Sequence, residues 1–190
     1  RDARFYASIL ANGFNFYNTY NGVKLVTFFN GGTSSYLGSG DCVKVGYLWR
    51  RMTDPQLDVE NGNWGRIFWP YYRLAEIYLN YAEACNEKTT REESEALKYV
   101  NLVRARVGLN KLEEAYPEVK GNQDLLRTLI QKERMVELAF EAHRYYDVRR
   151  WMIAEKEMSG PNWCRNVMST TYEGSWERTD QVWTTPRVFQ

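Results

Sequence analysis

The fold of this chain is decided by residues 72–84, which read YRLAEIYLNYAEA. Apolar side chains there recur at the helical period and form one stripe: Leu74, Ile77, Tyr78, Tyr81 and Cys85. Pro70 suits the first position of a helix. The pattern therefore predicts an amphipathic helix that starts around Tyr71 and ends near Glu87.

A second amphipathic helix follows at once. Thr90 and Glu93 have the spacing of a capping box, in which a hydroxyl and a carboxylate satisfy free amides at a helix start. The apolar stripe of this helix is Ala96, Tyr99, Val100, Val103 and Val107. Gly108 then stands where a helix-ending glycine is expected. Two such helices with a short connection predict an antiparallel hairpin.

A third helix is predicted from Asn122 or Asp124 to about Phe140, with a shorter one from Arg144 to about Ile153. At about 100° per residue, Glu133 projects into the middle of its apolar face. Glu137 and Glu141 follow at intervals of four residues, and cations must stand opposite them; the candidates are Arg104, Arg106, Arg144, Arg149 and Arg150.

These carboxylates have two interpretations. A close pair of them could act as general acid and base, as in a glycosidase. Alternatively, they lock helices together through ion pairs, because a buried charge is tolerated only when it is paired. The abundance of arginines favours the second interpretation, so Glu133, Glu137, Arg144 and Asp147 are predicted to be structural.

Composition excludes several functions. The 190 residues contain 25 Lys and Arg against 24 Asp and Glu, and they show no basic cluster, which argues against nucleic acid as a partner. No apolar run is long enough for a transmembrane helix. The chain begins without an initiator methionine or a signal peptide, which predicts a fragment or a processed product.

Metal and cofactor sites are also not predicted. The three cysteines are far apart and show no CxxC pattern, so a zinc site is not expected. The only histidine, His143, has no serine or cysteine nucleophile nearby and is predicted to be a packing residue. The acidic loop 54–63 lacks the ligand order of an EF-hand, although weaker calcium binding stays an open alternative.

The chain divides into three regions by pattern. Residues 1–70 are rich in glycine, asparagine and aromatics and predict short strands and long loops; residues 71–153 are helical; residues 154–190 form an irregular tail. All three are expected to be parts of one truncated domain. The fold class is therefore mainly α, with helical hairpins, long loops and short β-hairpins.

Aromatic side chains on the loops of residues 1–70 are the candidates for function. A flat ring offers an apolar face that matches the C–H face of a sugar, and nearby polar groups can bond its hydroxyls. The predicted ligand-binding residues are Trp49, Trp64, Tyr36 and Tyr47. Tyr17 and Tyr20 also belong to this loop set, whereas Trp69 is expected to be held in the interior by Pro70 and the helix after it.

Three stretches together resemble a known family. They are residues 72–84, residues 100–109 (VNLVRARVGL) and residues 133–151 (ERMVELAFEAHRYYDVRRW). In this order and spacing they are similar to the carboxyl-terminal half of the SusD/RagB family, surface lipoproteins of Bacteroidota that capture nutrients. The resemblance covers most of residues 65–152.

This resemblance implies a fold with tetratricopeptide-like helical repeats and a missing amino-terminal half. It also implies a TonB-dependent transporter of the SusC type as partner, an outer-membrane location through a lipid anchor absent from this chain, and a ligand that is usually a glycan and sometimes a peptide. We therefore expect non-catalytic capture of glycan, without cofactor, metal or nucleic acid. The alternatives are peptide binding as in RagB-like proteins, a helical-repeat scaffold for protein partners, and a glycoside hydrolase fragment.

Overall fold

The computed structural model describes most of the chain, namely residues 2–18, 22–35, 43–58, 61–159 and 163–179. Its residues divide into two compact units. Of the described residues, those in 2–5 and 70–147 form the first, which we call the helical unit. Those in 6–69 and 148–179 form the second, which we call the loop unit.

Helices dominate the described residues, as the sequence predicts. Four of them lie within the helical unit: α2 (Leu74–Glu87), α3 (Glu93–Arg106), α4 (Leu112–Ala115) and α5 (Gln123–Glu137). The remaining three are α1 (Ala3–Ser8), α6 (His143–Arg150) and α7 (Ala154–Met158). A mainly α fold with short strands is thereby confirmed.

The helical unit has its own apolar core. Helices α2 and α3 pack together as the predicted hairpin, and α5 packs against both of them. The core is formed by side chains of these three helices and of the segment between α3 and α5: Leu79, Ala82, Cys85, Ala96, Val100, Val103, Leu112, Val119, Leu126, Leu129 and Ile130. Burial of these side chains is the main force that holds the three helices together. The stripe predicted for α2 is largely wrong, because Leu74, Ile77 and Tyr81 are exposed. Helices α3 and α5 pack instead on the α2 face that carries Leu79, Ala82 and Cys85.

The helix ends test the predicted caps. The capping box at Thr90 is wrong, because α3 begins at Glu93 after an N-cap residue, Glu92, whose side chain makes no capping bond. The predicted end of α3 is confirmed, since Gly108 is left-handed (φ 71°) directly after the C-cap residue. The start of α5 is confirmed as well, because the Asn122 side chain accepts a hydrogen bond from the Leu125 amide at 3.0 Å.

Helix α5 ends at Glu137, earlier than the predicted end near Phe140. The Glu137 carbonyl accepts a hydrogen bond from the Arg73 guanidinium at 2.5 Å, while the amide of Glu141 bonds the Leu138 carbonyl. A helix would need the Glu141 amide on the Glu137 carbonyl. The chain then turns through left-handed residues at Phe140 and Ala142 before α6 begins.

The described residues of the loop unit form three antiparallel pairs of strands. They are β1 (Ile9–Ala11) with β4 (Tyr47–Trp49), β2 (Phe14–Asn18) with β3 (Gly22–Val26), and β5 (Cys164–Arg165) with β6 (Arg178–Thr179). In register, Ile9 faces Trp49 and Ala11 faces Tyr47. A second apolar core, within this unit, consists of Leu10, Val26, Phe28, Val43 and Val167. Burial of these side chains stabilises the loop unit.

Candidate functional site

The predicted ligand-binding residues occupy different places. Tyr36 lies outside the described residues. Tyr47 and Trp49 lie two residues apart on β4, and the side chain of Trp49 is 47% exposed. Trp64 lies on the loop after residue 61 and is 70% exposed. The structure brings Tyr47 and Trp49 onto one strand, whereas Trp64 belongs to a separate cleft.

This cleft, which we call the Trp64 cleft, is an open depression of about 860 Å³ within the loop unit. Its lining residues are Met52, Thr53, Asp54, Pro55, Gln56, Asn63, Trp64, Gly65, Arg66 and Phe68. Two aromatic rings project from it, because Phe68 is 83% exposed in addition to Trp64. Exposed rings beside amide and charged groups are the combination that a polar ligand with an apolar face requires.

The Asp54 carboxylate joins the two sides of the cleft. Its Oδ1 atom accepts a hydrogen bond from the Gln56 amide at 2.8 Å, and its Oδ2 atom accepts one from the Arg66 amide at 2.7 Å. These backbone bonds hold the pKa of Asp54 below its usual value. Gly65 packs so closely that a Cβ atom there would lie 2.9 Å from Asp54 Oδ2. Asp54 is thus the residue that fixes the loop carrying Trp64.

A second set of hydrogen bonds stiffens the same loop. Asp58 and Asn63 exchange backbone hydrogen bonds of 2.8 Å in both directions. The Asn61 side chain donates to Asp58 Oδ2 at 2.7 Å, and the Asn63 side chain donates to the Gln56 carbonyl at 2.9 Å. In the described part of the acidic loop 54–63, the carboxylate oxygens of Asp54 and Asp58 therefore mainly accept hydrogen bonds from the loop itself and from Arg66.

Substituting Asp54 by alanine is expected to release the Gln56 and Arg66 amides. Loss of one hydrogen-bond acceptor should speed hydrogen exchange at both amides about tenfold. The Asp58 amide, which bonds the Asn63 carbonyl, serves as the internal control and should stay protected. Hydrogen exchange followed by NMR measures all three amides, and unchanged rates at Gln56 and Arg66 would show that Asp54 does not hold the loop.

The hydroxyl of Tyr47 already accepts a hydrogen bond within the protein. The Arg165 Nε atom donates to it at 2.6 Å, and the same guanidinium lies 5.7 Å from the Tyr47 ring and 5.4 Å from the Trp176 ring. Arg165 Nη1 also donates to the Trp176 carbonyl at 2.5 Å. These contacts favour a packing role for Tyr47, and a ligand contact by this residue stays a prediction.

Sequence reasoning missed Phe68, Arg66 and Asp54 in the cleft. Phe68 satisfied the criterion that selected Trp64, since it lies outside every helical stripe and close to a glycine. The expectation for Trp69 is wrong, because its side chain is 46% exposed. The reason is that α2 begins only at Leu74, so no helix starts directly after Pro70 to hold Trp69 in the interior.

The carboxylates of α5 are bound by arginines within the helical unit. Arg4 donates to Glu133 at 2.6 Å and to Glu137 at 3.0 Å, and Arg104 donates to Glu133 at 3.0 Å. Arg106 donates to both carboxylate oxygens of Glu137, at 2.7 and 2.9 Å. Both oxygen atoms of each glutamate therefore accept a guanidinium.

Arg73 completes this cluster. It donates to Glu137 Oε1 at 2.6 Å and to Glu141 Oε2 at 2.7 Å. Burial alone would raise the pKa of Glu137, but the hydrogen bonds from Arg73 and Arg4 and the charges of Arg73 and Arg106 lower it below the ordinary value. A carboxylate held ionised in this way cannot donate the proton that a general acid must supply, and the contacts favour the ion-pair interpretation.

No group of three or more His, Cys, Asp and Glu side chains is arranged for a metal ion within the described part of the chain. Asp147, also predicted to be structural, forms a buried pair with Arg134 at 2.7 Å. None of the helices in the described ranges has the length and apolar character needed to span a membrane.

Comparison with known sequences points to one family. The sequence profile of the SusD family matches residues 1–187. SusD-like protein P2 of Formosa agariphila is 42% identical over 92 residues, which is 47% of this chain and 18% of that protein. A SusD-like protein of Bacteroides ovatus is 35% identical over 80 residues, which is 42% of this chain and 13% of that protein. The matched stretches thus make up less than a fifth of each of these relatives.

Solved structures agree. A SusD-like protein from Bacteroides fragilis aligns with a TM-score of 0.65 at 36% identity, over 82% of this chain and 29% of that one. A SusD-like carbohydrate-binding protein from the same organism aligns with a TM-score of 0.70 at 22% identity, over 99% of this chain and 36% of that one. The second likeness shows the fold alone, and it shows it along almost the whole chain.

Proposed function

The chain belongs to the SusD family, and on this premise we propose that it captures glycans at the bacterial outer membrane without catalysing their cleavage. Delivery to a TonB-dependent transporter of the SusC type and a lipid anchor outside this chain are part of the proposal. Family membership is what supports both the transporter and the anchor. They are proposals because the matched residues cover only part of the relatives.

The observation that carries this proposal is the Trp64 cleft. Two exposed rings, Trp64 and Phe68, project beside the amide side chains of Gln56 and Asn63 and the guanidinium of Arg66. Rings can stack on the C–H face of a pyranose, and the amides can bond its hydroxyls. Because the loop is already fixed by Asp54 and Asn63, little ordering entropy is lost when a ligand binds.

Non-catalytic binding fits the state of the α5 carboxylates. Glu133 and Glu137 are both buried, and arginines occupy their oxygen atoms. A glycosidase needs two carboxyl groups that reach the scissile bond, one of them protonated. Release of reducing ends by the purified protein, abolished by a single carboxylate substitution, would contradict this part of the proposal.

Trp64→Ala is expected to weaken glycan binding at least tenfold, which corresponds to about 1.4 kcal/mol. The indole is exposed, so its removal should leave the melting temperature almost unchanged. Titration calorimetry with a panel of oligosaccharides measures the affinity. Trp163→Ala is the matched control, because Trp163 is also exposed in the loop unit but does not line the cleft.

Normal binding by Trp64→Ala would move the site elsewhere. Trp49 is the next residue to test, since its ring is also exposed, and Tyr36 follows as the remaining loop aromatic. If none of the three substitutions weakens binding, the glycan must be held by parts of the longer protein that this chain does not include.

A second function is favoured by one face of α2. The apolar side chains of Leu74, Ile77 and Tyr81 lie along this helix and are all exposed in the structure. Such a face is typical of a helical repeat that contacts another protein surface. A protein that bound none of the oligosaccharides in the calorimetric panel would favour this scaffold role over glycan capture.

A further inference from the structure

We infer that the glycan bound in the Trp64 cleft carries an anionic group, a carboxylate or a sulfate, and that Arg66 binds it. This inference rests on the proposed function, because it names the class of glycan that the same cleft would select.

Arg66 differs from the arginines whose guanidinium groups are bound by other groups of the protein. Its side chain is exposed, and its guanidinium has no hydrogen-bond or ion-pair partner among the described residues. By contrast, Arg4, Arg73 and Arg104 bind carboxylates, and Arg165 binds a hydroxyl and a carbonyl. A guanidinium inside a cleft that has no protein partner is available to a ligand.

Asp54 makes no direct ion pair with this guanidinium. It is the one acidic residue among the described residues that line the cleft, and both of its carboxylate oxygens are bound by backbone amides, one of them the amide of Arg66 itself. The other lining residues are uncharged apart from Arg66. The Arg66 guanidinium is therefore not held in an ion pair by any described residue of the cleft, and its hydrogen-bond donors can reach a ligand.

Arg66 lies between two aromatic residues of the cleft, and this arrangement suits a sugar that carries an anionic group. Trp64 precedes it by two residues and Phe68 follows it by two, and all three line the same cleft. A uronic acid or a sulfated sugar combines an apolar C–H face with an anionic group in one ring. The rings can take the face, and the planar guanidinium can bind carboxylate or sulfate oxygens through two parallel hydrogen bonds.

The experiment compares matched ligands by titration calorimetry. The probes are tetragalacturonate and its carboxyl-reduced counterpart, and a heparin tetrasaccharide and its desulfated counterpart. We expect at least one acidic probe to bind more tightly than its neutral counterpart. Arg66→Gln should remove that preference and weaken the acidic probe about fivefold to tenfold, since an exposed ion pair contributes modestly. Arg66→Lys should restore part of it.

Ionic strength provides an independent measurement. In about 1 M salt, where the Debye length falls to about 3 Å, the preference of the unmodified protein should largely vanish. Arg178→Gln is the matched control, because Arg178 is an exposed arginine of the same unit whose guanidinium lies 4.1 Å from the Trp163 ring, away from the cleft lining. This control should keep the preference intact.

Two results overturn the inference and are distinguishable. Equal binding of acidic and neutral probes, sensitive to Trp64→Ala but not to Arg66→Gln, leaves glycan capture standing and removes the anionic specificity. Failure of the unmodified protein to bind any probe or neutral oligosaccharide contradicts glycan capture itself, and the anionic specificity with it.

Discussion

Glu137→Ala is expected to lower the free energy of unfolding by about 3–5 kcal/mol, the usual cost of removing one partner from a buried ion pair. The Glu137 side chain is fully buried and receives hydrogen bonds from Arg4, Arg73 and Arg106. Without it Arg4 and Arg73, both largely buried, keep fewer acceptors, so the cost of desolvating their guanidinium groups is compensated less well. Urea unfolding followed by circular dichroism measures the change.

Glu95→Ala is the matched control, since Glu95 pairs with Lys98 on the exposed surface of α3 and its loss should cost less than about 1 kcal/mol. The pH dependence separates charge from packing. The pKa of Glu137 is lowered in the folded state, so its stabilisation is present above the unfolded pKa, about 4.3, and is lost as the pH falls through the folded value. The difference between the unmodified protein and Glu137→Ala should therefore shrink in acid. A constant difference would show that packing alone is responsible.

This cluster also shows how far helical periodicity can predict a structure. The stripe of α5 placed Glu133 on a buried face and required cations, and Arg104 and Arg106 on the neighbouring helix are among them. Arg4 and Arg73 were not predicted, because they lie 129 residues from Glu133 and 64 residues from Glu137 in the sequence. A period shows which face of a helix is buried, whereas a distant partner depends on the path of the whole chain.

The Trp64 cleft also combines a feature that the local sequence predicts with one that depends on the folded chain. Trp64 could be selected from the sequence because it lies on a loop beside a glycine, and that composition does not depend on the fold. The role of Asp54 depends on a bond from its side chain to an amide 12 residues away, which no local pattern encodes. The error at Trp69 has a local cause, since the proline-based start of α2 was placed several residues before the observed one.

Gly46→Ala is expected to cost about 2–5 kcal/mol in the loop unit. Gly46 is left-handed (φ 73°), which alone penalises a side chain by about 1–2 kcal/mol. In addition, a Cβ atom there would lie 2.5 Å from the Arg165 Cβ atom, close to the backbone of β5, so the strand or the Arg165 side chain must move. That shift would pull Arg165 away from the Tyr47 hydroxyl and the Trp176 ring, which it currently joins.

Gly62→Ala isolates the second cause. Gly62 is left-handed to a similar degree (φ 76°), but a Cβ atom there would have no close neighbour within 4 Å among the described residues. Its substitution should cost only the backbone penalty of about 1–2 kcal/mol, so the difference between the two variants measures the close approach of Gly46 to Arg165. Tryptophan fluorescence adds a direct test, because only Gly46→Ala should alter the environment of Trp176. If both variants lose the same stability and leave the fluorescence unchanged, the contact between Gly46 and Arg165 does not determine the packing of Tyr47, and a ligand contact by Tyr47 regains its place among the candidates.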